Sequence, residues 1–176
     1  MMYEKTISIL RQHEIKMETG LTFAEICKVE SIYEIKFPKS LRAFLMQVLP
    51  TSKGFYNWRD FNPENIEFIW RTIERPKNDL FVGRAEEALN GSESDADMKI
   101  QLKNAPKMIP IYFHRYIPVI SRDDPPVLSV HGMDIIYYGE NLDDYFEVEF
   151  GGKKQEEIDF EKIEPVPFWT DMMGYY

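Results

Sequence analysis

The chain has 176 residues, a net charge of −9 and a single cysteine. A chain of that length can bury roughly 70% of the surface its unfolded form exposes, so one domain over 1–176 needs no metal to hold it, and Cys27 alone excludes an internal disulfide framework. The charge is uneven: from Asp123 to the carboxyl end there are 14 acidic and 3 basic residues, against 16 and 18 in the first 122, and a strongly acidic third suits a basic protein partner rather than the phosphates of a nucleic acid.

The opening MMYEKTISIL lacks the basic stretch and apolar core of a signal peptide. No apolar run approaches the roughly 20 residues of a membrane span. A cytoplasmic protein that neither crosses nor binds a membrane is expected. Residues 3–13 place Ile7 and Leu10 at helical spacing, a weak pattern for a first helix. After Gly20, Thr22 and Glu25 have the spacing of a capping box. The helix they open runs to about Tyr33 on a stripe of Ile26, Val29, Ile32 and Tyr33, with Cys27 expected on its inner face. Residues 35–37 read as an extended link. Pro38 then starts a helix carrying Leu41, Phe44, Leu45, Val48 and Leu49 as far as Pro50.

Residues 51–61, TSKGFYNWRDF, form an aromatic loop. Asn62-Pro63 pairs an N-cap with proline in the first turn of the next helix, which buries Ile66, Ile69, Trp70 and Ile73 and is predicted to stop at Arg75-Pro76. DLFV at 79–82 is predicted as a short strand, and the small polar run 91–97 as a mobile, exposed loop. Strands follow at 108–112 and 116–120, with Pro110 and Pro118 implying irregular pairing. SRDDPP at 121–126 is a turn. Residues 127–130 and 134–138 read as a hairpin through His131-Gly132. Asn141 caps a helix carrying Leu142, Tyr145 and Phe146, and Pro167-Phe168-Trp169 is predicted to pack the tail back onto the body. The fold class is α+β: amino-terminal helices on a mostly antiparallel sheet, followed by a carboxy-terminal helix.

Little in this sequence carries catalytic chemistry. His13, His114 and His131 are the only imidazoles, and none has a compact metal-ligand spacing. A site from His114, His131 and Asp134 would require their strands to converge. The phosphate-binding patterns GxGxxG and GxxxxGK[ST] and the nucleophile elbow GxSxG are absent. The neighbouring carboxylates Asp143/Asp144 and Glu156/Glu157 point in different directions on a helix and do not form an acid/base couple. No enzyme, cofactor or metal is expected. A pocket around His114, Arg115 and Tyr137 would be the requirement for a ligand sensor, where Arg115 could clamp an anion or instead pair with the acidic third.

Binding is the alternative chemistry. Trp, Tyr and Arg on a loop are common interface anchors. Trp58, Arg59 and Asp60 are therefore candidates either for partner contact or for the core, while Phe55 and Phe61 are expected to roof the core. Arg115 and Tyr138 join them, with Glu140, Asp143 and Asp144 supplying charge that speeds encounter and sets specificity.

Four passages, IKFPKSLRAFL (35–45), YNWRDFNPENI (56–66), PKMIPIYFHRYIP (106–118) and DIIYYGENLDDYF (134–146), occur here in an order and spacing that resemble the SUKH superfamily. The resemblance is to its bacterial branch, related to the yeast Smi/Knr cell-wall-synthesis regulator, and spans roughly residues 22–170. It implies an α+β fold of amino-terminal helices against a mostly antiparallel sheet closed by further helices, and a role in binding. Many bacterial members are immunity proteins, each neutralising a cognate toxin, often a nuclease. The chain departs from the family at 83–104, where GRAEEALNGSESDADMKIQLKN replaces a Trp-containing segment. The resemblance implies a cognate toxin with a basic domain as partner, or an endogenous cellular protein if the chain is a regulatory scaffold. A monomer or a weak homodimer is compatible with either.

Overall fold

Helix α1 (Glu4–Gln12) opens the computed structural model, which describes residues 3–88 and 95–173. Strand β1 (Met17–Thr19) follows, then α2 (Phe23–Tyr33), α3 (Lys39–Gln47) and β2 (Val48–Pro50). The capping box forms as predicted: the Thr22 hydroxyl accepts the Glu25 N–H, and the Glu25 carboxylate accepts the Thr22 N–H. Cys27 is exposed, contrary to expectation. Ile26, Val29, Glu30 and Tyr33 define the buried face of α2, and position 27 falls off that stripe. The helix predicted through Leu49 ends two residues sooner. Val48 is extended, and Val48–Pro50 pairs antiparallel with β1, a two-stranded sheet the periodicity did not reveal. Gly20 makes this crossing possible, because a Cβ there would lie 2.1 Å from the Met46 carbonyl oxygen.

The same helices enclose a carboxylate. Glu30, 4% exposed, accepts hydrogen bonds from the Phe37 N–H (3.0 Å), Lys36 Nζ (2.8 Å) and an Arg42 Nη (2.6 Å). It thereby pins the extended link 35–37 between α2 and α3. Burial pushes its pKa up, but the donors from Lys36, Phe37 and Arg42 outweigh that and hold it below the ordinary 4.5. A depressed folded-state pKa means that this stabilisation is present above the unfolded-state value and is lost as pH falls through the folded one. Glu30→Gln should therefore cost about 2–3 kcal/mol at neutral pH, the buried-pair figure reduced because Lys36 and part of Arg42 face solvent. The loss should shrink in acid, and denaturant titrations across pH check both effects.

Helix α4 (Pro63–Ala88) corrects two expectations, since it runs through Pro76 and absorbs the predicted strand 79–82. Proline cannot donate to the Thr72 carbonyl. The helix continues because its buried stripe does: Ile69, Ile73, Pro76 and Leu80 recur at helical spacing. Helix α5 (Asp95–Asn104) begins inside the run expected to be a mobile loop, and residues 91–94 of that run lie outside the described residues.

Strands β3 (Met108–Tyr112), β4 (Arg115–Pro118), β5 (Val127–His131) and β6 (Asp134–Gly139) form an antiparallel sheet in sequence order. The two-residue turn Gly132-Met133 closes the β5–β6 hairpin with His131 opposite Asp134. Helix α6 (Leu142–Glu149) begins at the predicted cap, with the Asn141 side chain accepting the Asp144 N–H at 2.9 Å.

Alternation along the strands sends Ile109, Ile111, Ile117 and Val127 into a core shared with α1, α2, α3, α6 and the first half of α4. Met108, Tyr116, Leu128, Val130 and Ile135 face a second core with Leu80, Leu102 and the tail residues Val166, Trp169 and Met172. Both faces of the sheet are covered, which explains why its strands read as nearly unbroken apolar runs. The fold is α+β, as predicted.

Candidate functional site

The aromatic loop divides into residues that fold inward and residues that remain outside. Trp58 is 3% exposed, with edge contacts to Tyr33 (5.6 Å between ring centres) and Phe37 (5.3 Å), and so belongs to the core. Arg59 staples the loop to the first sheet. Its guanidinium donates to Glu25 (2.7 Å), Glu18 (3.0 Å) and the carbonyls of Thr19 (3.0 Å) and Gly20 (2.9 Å). With Arg59 and the Thr22 N–H as donors, the Glu25 carboxyl is held at about 2. The Asp60 carboxylate accepts from the Asn62 backbone and side chain just ahead of α4. Phe55 and Phe61 pack against the first core as expected. Arg59→Lys should cost about 1–2 kcal/mol in unfolding free energy, because a single ammonium cannot reproduce a planar fork with four partners. A chemical denaturation curve checks it.

The other predicted residues gather around α6. Arg115 donates to Glu149 (2.9 Å) and to the Ser129 hydroxyl (2.9 Å), and its guanidinium stacks 3.8 Å from the centre of the Tyr138 ring. This is the intramolecular pairing with the acidic third that the sequence left open. Glu140 accepts the Asp159 N–H, while Asp144 accepts the Glu140 N–H and the Lys153 ammonium. Asp143 is exposed and accepts the Thr6 hydroxyl. Tyr137 bonds Thr170 in the tail (2.6 Å), away from the pocket envisaged with Arg115. His114 and His131 approach to 5.6 Å between ring centres. Burial, then the charges of Arg115 and His131, lower the His114 pKa. No third ligand completes a metal site among the described residues.

The residue that sequence reasoning passed over is Phe113. It sits in the β3–β4 turn at φ +43°, a left-handed conformation that is an outlier for a bulky side chain. Its N–H donates to the Gly54 carbonyl (2.8 Å), and its carbonyl accepts the Tyr56 hydroxyl (2.7 Å). Gly54, at φ +101°, leaves room for the rings: a Cβ there would lie 2.5 Å from both Tyr112 and Phe113. The aromatic loop thus clamps the turn and leaves the Phe113 ring 45% exposed. Phe68, 50% exposed, stacks on Tyr56 at 5.8 Å. Half-buried Phe55, Tyr112 and Phe150 are in mutual ring contact beneath Phe113. Glu149 ends α6 beside Phe150, so the helix runs from the carboxylates Asp143 and Asp144 to this aromatic face. The available signal was the density of aromatics in GFYNWRDF and IYFHRY. Which of them faces solvent depends on the clamp between two segments far apart in sequence.

No family model, curated protein or solved structure matches this chain. Among the described residues no helix is long and apolar enough to cross a membrane.

Proposed function

We propose that the chain is a non-catalytic protein-binding module of the SUKH type, acting as an immunity protein that neutralises a basic, nuclease-type bacterial toxin domain. The observation that carries the reading is Phe113, a phenylalanine held outward in an unfavourable backbone conformation by two hydrogen bonds from the aromatic loop. Strain of this kind persists only where surrounding structure imposes it, and it clusters at functional positions. Phe113 supplies the anchor, with Phe68 stacked on Tyr56 of the same clamp, and the exposed Asp143 carboxylate at the far end of α6 supplies charge complementary to a basic partner. The four passages carrying the family resemblance, and an α+β architecture of the kind that family has, support the same reading.

Calorimetric titration with the carboxy-terminal domain of the adjacent gene's product, at several salt concentrations, tests it. One-to-one binding that weakens with salt is the expected result. No binding between two folded proteins overturns the immunity role and turns the reading to a regulatory scaffold for an endogenous protein. In the same assay Asp143→Lys should slow association about three- to tenfold at low ionic strength, with the difference vanishing at high salt.

A further inference from the structure

An open groove of about 450 Å³ lies between α4 and α5. Four lysines line it, Lys77, Lys99, Lys103 and Lys107, over an apolar floor of Phe81 and Leu102. Among the described residues one carboxylate, Glu74, also lines it, and the Glu34 carboxylate lies 3.9 Å from the Lys107 ammonium.

Two of the lysines have work in the fold. Lys77 donates to the Ala105 carbonyl just past α5 (2.6 Å), and Lys107 to the Tyr33 and Glu34 carbonyls at the end of α2 (3.3 and 3.1 Å). Both ammoniums are thereby fixed in place. Burial lowers the Lys77 pKa, with the Glu74 charge opposing it and the nearby Lys107 charge adding to it.

Lys99 and Lys103 have no such role. They stand four residues apart on α5, on one face of the helix, where like charges destabilise it. Lys103 gains from the helix dipole in the last turn, but Lys99 does not. Neither forms an ion pair among the described residues, and Lys99 only overhangs the Phe81 ring at 5.4 Å. Lys99 and Lys103, without an ion pair among the described residues and lining the same groove as Lys77 and Lys107, create a positive potential that an anion would relieve. The volume lies within the range of small-molecule sites, and the Phe81 ring offers a stacking surface beside the charges.

We infer that this groove binds a small multivalent anion carrying an aromatic group, of the nucleoside triphosphate class, with the phosphates among the lysines and the base against Phe81 and Leu102. No glycine-rich phosphate loop is involved, because lysine side chains supply the charge. The site is separate from the aromatic face of Phe113, so its fate is independent of the toxin-binding proposal.

The test is calorimetric titration of the full chain at low ionic strength with magnesium-free ATP and, separately, with inorganic triphosphate. The expected result is saturable one-to-one ATP binding, with triphosphate weaker by about tenfold for want of the stacked base. Lys99→Glu and Lys103→Glu should each weaken ATP by at least about tenfold. Both positions are solvent-exposed, so helix content by circular dichroism should be retained. Phe81→Ala should bring ATP down to the affinity of triphosphate. Absence of saturable ATP binding overturns the proposal, as does equal affinity for triphosphate or indifference to both charge reversals.

Discussion

Phe113→Asn is expected to abolish most partner affinity while leaving the protein as stable as before. A central aromatic anchor contributes about 2 kcal/mol or more to binding, so Kd should rise at least about 30-fold. Stability behaves differently because the phenylalanine occupies φ +43°. A left-handed residue costs roughly 1–2 kcal/mol, and asparagine tolerates that conformation best after glycine. Relief of this strain offsets the lost contacts with Tyr112 and Gly54. Unfolding free energy should stay within about 1 kcal/mol of the parent protein. A surface-exposed side chain whose removal cost much stability and no binding would be a packing residue, and the proposed interface would then lie elsewhere. Paired calorimetry and denaturant titration distinguish the two results.

Trp169→Ala should have the largest effect on stability. The indole is fully buried in the second core, and its Nε1–H donates to the Pro106 carbonyl at 3.0 Å. Deleting a buried tryptophan costs about 3–5 kcal/mol, which for a chain of this size should lower Tm by roughly 10 °C. The loss should be localised first in the tail. Val166 and Met172 share the core with Trp169, and hydrogen exchange should show residues 166–172 losing protection before the strands do. Uniform loss of protection would mean that tail and sheet unfold as one unit.

Much of the fold was legible because its signals are local. The Thr22–Glu25 capping box, the Asn141 cap, Pro63 in the first turn of α4 and the Ile-, Val- and Tyr-rich runs of the four strands all act within a few residues. The docking of Trp169 was legible as well, since an aromatic beyond an acidic, turn-rich stretch has few places to be buried except the body. The failures share a different cause. Pro76 reads as a terminator, yet the stripe from Ile69 to Leu80 serves one core and then the other, and packing outweighs the missing hydrogen bond. Val48–Pro50 fits the helical pattern of α3 until β1, some thirty residues earlier, offers it a partner.

For the candidate site the division is sharper. The sequence by itself determined an acidic final third, an aromatic loop and strands rich in Tyr and Phe. Only the tertiary structure decided which side chains are spent on folding. Trp58 goes into the core, Arg59 onto Glu25 and Glu18, and Arg115 onto Glu149, while Phe113 is turned outward. Composition and spacing describe a residue against its near neighbours. Exposure of Phe113 comes from hydrogen bonds that join positions 54 and 56 to position 113, and a contact of that range exists only once the chain has folded.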